Sequence, residues 1–201
     1  MGPGEGIPPE EEIRLLHKDV AGDLQVIASL IDMRMTTLED EEGLQALRQV
    51  RSLIRSIALA HGTAYEAGTD GMISARHLME KLVKSTRLTH CTRTWITTTV
   101  DCGTVKFPVA SAAPLALAVS ECIRESVVCS LEGMAEGRIA ITAREDDHWY
   151  TVTITDSGFA GYGESAETET EGEALGMMIA DHIVRYRLKG TLERDRSGGA
   201  T

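Results

Sequence analysis

The most reactive side chain near the start of this chain is His17, set in the stretch Leu15-Leu16-His17-Lys18-Asp19-Val20-Ala21-Gly22-Asp23-Leu24-Gln25-Val26-Ile27-Ala28-Ser29-Leu30. A neutral imidazole is a competent nucleophile, and its neutral fraction near pH 7 is large. Lys18 places a positive charge beside it in sequence. No carboxylate is placed to take the released proton, because Asp19 lies about 200° round a helix from His17. His17 sits beside an apolar stripe of Ile13, Leu16, Val20, Leu24, Ile27, Ile31 and Leu38. An imidazole there is either a packed core residue or a nucleophile presented by a rigid helix. His61 falls within the stripe of a second helix and reads as a packed residue. His77, His90, His148 and His182 read as surface residues.

The elements that position His17 follow from hydrophobic period. Pro8-Pro9 followed by Glu10, Glu11 and Glu12 suits a helix start, since proline fits the first turn and carboxylates complement the positive end of the dipole. The spacing predicts a helix from there to about Leu38. Glu39-Asp40-Glu41-Glu42-Gly43 is a polar turn. Leu44, Leu47, Val50, Ile54, Ile57, His61 and Ala64 then mark a second helix that ends near Gly68. Two long helices with one apolar face each cannot cover both faces. A second copy completing a four-helix bundle is the expected partner.

Beyond residue 71 the pattern becomes mixed. Helices are expected over 74–87, 113–131 (Pro114 in the first turn) and 174–188. Strands are expected over 95–100, 105–107, 137–143, 149–155 and from Gly190 to Glu193, with a Gly/Glu-rich loop over 156–173. The organisation expected is a flexible segment 1–9, a helical hairpin 10–70 and an α/β domain 71–201. That domain stops at Thr201, where one more strand would follow, so its C-terminus is either truncated or naturally short.

The 201 residues are 42% apolar, enough for a core, with a net charge of −11. That charge argues against nucleic-acid or anionic-membrane partners, which require clustered Lys and Arg. No apolar run reaches bilayer length and no signal peptide opens the chain, so the expectation is a soluble, cytoplasmic protein with no membrane association. Cys91, Cys102, Cys122 and Cys129 form no metal-ligand spacing and read as small buried hydrophobes. No metal site is expected.

Taken in order, these segments resemble the HisKA_2 (HWE-like) sensor histidine kinases of two-component signalling. Their first helix has the form HHRVKNNLQVISSLL, to which residues 17–31 correspond. His17 matches the first histidine, and Lys18 fills the position of the second. The family's H-x-x-L-Y resembles His61-Gly62-Thr63-Ala64-Tyr65. Its E-L-V-x-N-A resembles Glu121-Cys122-Ile123-Arg124-Glu125-Ser126. Its D-x-G-x-G, L-G-L and G-G-T-L boxes resemble Asp156-Ser157-Gly158-Phe159-Ala160, Leu175-Gly176-Met177 and Lys189-Gly190-Thr191-Leu192.

The resemblance implies an α+β fold: a dimerisation and histidine-phosphotransfer hairpin followed by an α/β-sandwich ATPase-like domain of the Bergerat (GHKL) type. It implies His17 as phosphoacceptor aided by Lys18, a receiver-domain Asp of a response regulator as partner, and a nucleotide site at Glu121, Glu125, Asp156, Gly158 and Gly176. That site departs from the family pattern. Glu125 replaces the Mg²⁺-binding Asn, Ala160 replaces a glycine, and Glu164, Glu167, Glu169, Glu171 and Glu173 crowd the lid with negative charge. ATP and Mg²⁺ are therefore expected to bind weakly at most, and phosphoryl relay through His17 is the expected activity. The alternatives are an active ATP-dependent kinase and a dimer that binds receivers without chemistry.

Overall fold

A computed structural model describes residues 8–89, 95–131, 134–147, 149–158 and 171–195. Helix α1 (Pro9–Met35) begins at the proline pair, with Glu10, Glu11 and Glu12 in its first turn. It stops three residues short of the expected Leu38. The hydroxyls of Thr36 and Thr37 donate to the carbonyls of Met33 (2.7 Å) and Arg34 (2.9 Å), which satisfies the helix end. Asp40 then caps helix α2 (Glu41–Glu66) by accepting from the Gly43 amide at 2.7 Å. Gly68, at φ 84°, turns the chain out of the hairpin in a left-handed conformation open to glycine.

The α1 stripe divides in two. Ala21 and Ala28 are buried and Val20, Leu24 and Ile31 are half-buried on the side that meets α2. Ile13, Leu16 and Ile27 are exposed and join Val26, Leu30 and Met33, with Leu16 and Leu30 60% and 58% exposed. Alanines let the two helices close, flanked by Val20, Leu24 and Ile31, while Ile13, Leu16, Ile27 and Leu30 fall outside the contact. Asp32 on α1 binds Arg51 and Arg55 on α2, the latter at 2.8 Å.

The remaining elements are β1 (Met72–Ser74), α3 (Ala75–Thr89), β2 (Trp95–Asp101), β3 (Lys106–Pro108), α4 (Val109–Glu125), β4 (Glu136–Glu145), β5 (Tyr150–Asp156) and α5 (Glu171–Tyr186). β2 lies parallel to β4 with Ile96 opposite Gly137 and Val100 opposite Ile141, so the chain must cross over through a helix, here α4. β5 returns antiparallel to β4, with Ile154 opposite Ile141. β1 and β3 form a separate antiparallel pair that sets Ile73 against Phe107. Alternate residues of β4 (Gly137, Ile139, Ile141, Ala143) are buried. The core joins these strand residues to Leu78, Met79 and Leu82 of α3 and Ile123 of α4. Ala60 and Ala64 of α2 belong to the same core.

Three expectations are corrected. α4 begins at Val109, with Pro108 preceding it, so Pro114 lies inside the helix. Pro108 sets its own φ to −56°, a helix-entry value, at the end of a short strand that needs no further donor. The α-helix also stops at Glu125, and Ser126–Ser130 widens to a π-helical turn closed by the Leu131 amide on the Ser126 carbonyl (3.0 Å). Residues 190–193 form no strand. α5 ends through left-handed Lys189, and the following chain brings Arg194 onto Glu125 of α4 rather than pairing along β5. Strand β1 has no counterpart among the sequence expectations. Cys102 is buried, and burial pushes the Cys122 thiol up to about 11. Cys91, His90 and His148 lie outside the described residues.

The face of α2 that meets α4 carries small residues: Ser52, Ser56, Ala60, Thr63 and Ala64 are all buried. Ser56 and Thr63 donate to their own helix carbonyls, at Ser52 (3.0 Å) and Leu59 (2.8 Å). Ser56 Oγ also shares a 2.8 Å hydrogen bond with Ser120 Oγ of α4. Overpacking this contact with Ser56→Leu is expected to cost about 1–3 kcal/mol in urea unfolding. Ser56→Ala is expected to cost only about 1 kcal/mol, the value of the lost hydrogen bond.

Candidate functional site

The hairpin brings residues that average to its turn opposite one another. His17 of α1 meets His61 of α2 with Nδ1···Nδ1 at 2.9 Å, ring centroids 5.0 Å apart and the planes tilted by 45°. Both rings are half-buried. One proton can occupy that contact, so one Nδ1 donates and the other accepts. Burial pushes both imidazoles below their usual pKa, and for His61 the proximity of His17 adds to the effect.

Cations gather at one end of the pair. The Arg14 guanidinium stacks 4.5 Å from the Tyr65 ring centroid, and the Lys18 ammonium lies 5.8 Å from it. Glu11 holds Arg14 through two contacts of 2.7 and 2.6 Å. Lys18 and Asp19 are exposed. The sequence reading placed His61 in the packing of α2 and did not connect it, Arg14 or Tyr65 with His17. The signal was available in the numbering, since 17 and 61 average to 39, inside the connection between the two helices.

A second cluster surrounds the C-terminal half of α4. Glu121 is fully buried, and its Oε2 accepts from Arg124 Nε at 2.9 Å. Gly176 of α5 lies on this pair. A Cβ there would come within 2.3 Å of Glu121 Oε2 and 2.2 Å of Arg124 Nη2. Glu121 Oε1 and Arg124 Nη2 are buried with no hydrogen-bond partner among the described residues. Glu125 is buried and ion-paired with Arg194. Asp156 accepts from Ser126 Oγ (2.8 Å) and from the Gly158 amide (2.9 Å). Gly158 presses against the π-helical turn, where a Cβ would fall 2.3 Å from the Ser130 carbonyl. Glu121, Glu125, Asp156, Gly158 and Gly176 thus sit around one end of α4. Arg124, Ser126 and Arg194 complete the cluster and were not singled out from sequence. Ala160 and lid residues Glu164, Glu167 and Glu169 lie outside the described residues, as do the side chains of Glu171 and Glu173.

The lowered histidine pKa values fix a sign for pH dependence. Below the ordinary value near 6.5 the unfolded chain binds more protons than the folded one. Their stabilisation is present above that value and is lost as pH falls through the folded-state pKa values. The urea midpoint is therefore expected to drop between pH 7.5 and 5.5. A His17→Gln/His61→Gln double variant, facing the same Arg14, Lys18 and Tyr65, is expected to show a smaller drop.

Residues 16–90 match the HisKA_2 family model, described as histidine kinase. The chain is 24% identical over 189 residues to the sensor histidine kinase PdtaS of two Mycobacterium tuberculosis strains. The match spans 92% of this chain and 37% of the relative, so the chain corresponds to little more than a third of that protein's length. Two structures of Erythrobacter litoralis EL346 blue-light activated histidine kinase share the fold at 16% identity. The histidine kinase domain aligns with a TM-score of 0.53 over 85% of this chain and 82% of its own. The other structure aligns with a TM-score of 0.59 over 92% and 55% respectively. Among the described residues no helix is long and apolar enough to cross a membrane. Residues 16–90 of this mixed helix-and-strand chain are thus similar to the HisKA_2 histidine kinase segment, and the chain shares its fold with histidine kinase domains.

Proposed function

We propose that this chain is a dimeric phosphotransfer module in which His17 exchanges a phosphoryl group with the receiver Asp of a response regulator. The observation that carries this reading is the His17–His61 contact: a half-buried imidazole that burial keeps neutral, held at a fixed place on a helical hairpin. Such chemistry asks little more of the protein than an oriented nucleophile, a docking face and nearby positive charge. Lys18 and Arg14 supply the charge, and the receiver brings its own acidic pocket and Mg²⁺. Residues 10–70 act as the dimerisation and phosphotransfer hairpin, and 71–201 as a Bergerat-type ATPase-like domain.

The dimer reading rests on the exposed row Ile13, Leu16, Ile27 and Leu30, an apolar stripe on α1 beside His17. A second copy covering it would complete a four-helix bundle. Leu30→Asp is expected to convert the dimer to a folded monomer in light scattering, because Leu30 is exposed in the single chain and its loss removes no core packing.

The nucleotide side of the proposal is one of weak binding. The residues around α4 do not fit a magnesium triphosphate. Glu121 is committed to Arg124, Glu125 to Arg194, and Asp156 to Ser126 and Gly158. Gly176 leaves no room above the Glu121–Arg124 pair. Two buried glutamates would also place negative charge against phosphate.

The test is transfer of label from a phosphorylated receiver. The wild type is expected to take up acid-labile label. His17→Ala is expected to take up none while its oligomeric state and urea midpoint stay close to wild type, since the ring is half-exposed. Label retained by His17→Ala, or never acquired by wild type, would leave a receiver-binding dimer without chemistry as the better account.

A further inference from the structure

We propose that His61 is the proton acceptor for phosphoryl transfer at His17, with His17 Nδ1–H donating to His61 Nδ1 and Nε2 of His17 left as the attacking atom. This inference rests on the reading of His17 as phosphoacceptor. The Nδ1···Nδ1 distance is 2.9 Å, an ordinary hydrogen-bond length, across two helices that hold each other in register.

The tautomer follows from valence. Were His61 the donor, the lone pair of His17 Nδ1 would be used in the contact and its Nε2 would carry the proton. His17 would then have no free nucleophilic nitrogen. With His17 as donor, its Nε2 lone pair is free, and attack can be concerted with loss of the Nδ1 proton. His61 is the hydrogen-bond partner of His17 among the described residues, and Asp19 is exposed on another face of α1. The other charged or titratable groups near the pair are Arg14 and Lys18 from α1 and Tyr65 from α2. Glu11 is occupied by Arg14.

The step balances. His17 Nε2 forms a bond to phosphorus as the P–O bond to the receiver aspartate breaks. The aspartate leaves as carboxylate, the Nδ1 proton moves to His61 Nδ1, and His61 becomes imidazolium. In reverse, His61 returns that proton, and the phosphoimidazole becomes a phosphoimidazolium, a better leaving group. A shared imidazole proton therefore serves transfer in either direction. This fills the place that a carboxylate beside the histidine would otherwise take.

The test uses the full chain labelled with ¹⁵N-histidine at pH 7.5, with phosphoramidate as a small phosphodonor. Long-range ¹H–¹⁵N correlation is expected to show His17 as the Nδ1–H tautomer and His61 as Nε2–H. ³¹P and ¹⁵N shifts are expected to place phosphate on Nε2 of His17 only. His61→Ala should release Nδ1 and give a mixture of both phosphohistidine isomers, which loss of packing alone does not produce. His61→Gln keeps an acceptor for Nδ1–H but cannot take a proton, so it should preserve Nε2 selectivity while labelling slows by about 10²-fold. His61→Glu should recover most of that loss. Label on wild type with His17 in the Nε2–H form, or on its Nδ1, overturns the role of His61 and leaves the phosphoacceptor reading standing. Absence of label on His17 with the expected tautomer in place overturns the phosphoacceptor reading itself, and the base role with it.

Discussion

The close contact between α2 and α4 ties the histidine pair on the hairpin to the buried acidic cluster on α4. Helix axes approach only as far as their facing side chains allow, and this face of α2 presents Ser52, Ser56, Ala60, Thr63 and Ala64. Small residues alone would leave buried hydroxyls unpaired, which is costly. Ser56 and Thr63 avoid that by donating to carbonyls of their own helix, and Ser56 also reaches Ser120. With α2 seated, its other side carries His61 toward α1, where Ala21 and Ala28 permit a similarly close approach. The 2.9 Å imidazole contact is thus the outcome of two small-residue helix seams. A larger residue in either seam would separate the rings before it unfolded the chain.

The two clusters stand in contrast. At His17 the groups are half-open to solvent, neutral and flanked by cations, a setting suited to receiving a phosphoryl dianion. At the C-terminal half of α4 the carboxylates are buried and satisfied within the chain. A buried ion pair such as Glu121–Arg124 stabilises little once desolvation is counted, yet breaking it leaves an uncompensated charge. Gly176 matters here through packing: its missing Cβ lets α5 close over the pair. The glycine of Leu175-Gly176-Met177 seats one helix on another.

Much of this was legible in the sequence for physical reasons. The proline pair and acidic first turn marked the start of α1, and strict alternation marked β4 and β5. Glu121, Asp156 and Gly176 were brought to one place by a family resemblance, with no spacing rule that could have done so. What escaped had causes too. The buried face of α2 is made of Ser, Ala and Thr, which hydropathy reads as neutral, so the apolar stripe falls on Leu47, Val50 and Ile54, which are only partly buried or exposed. Proline favours first turns, which points to Pro114 as the start of α4, while Pro108 stands at the N-cap just before the helix. Residues 190–193 read as a strand by composition, but Arg194 found a buried carboxylate, Glu125, and the chain followed it. His61 looked like packing because its neighbours in sequence are apolar. Its partner is 44 residues away, and only the antiparallel register of the hairpin reveals it.

On this account phosphate enters and leaves the protein at one residue, His17. That route is tested most directly by electron-transfer dissociation mass spectrometry, at neutral to alkaline pH, of the wild-type chain after incubation with a phosphorylated receiver. The account predicts a single phosphohistidine at position 17 that disappears when unphosphorylated receiver is added back. Phosphate at His61, at another histidine, or at no histidine would contradict it.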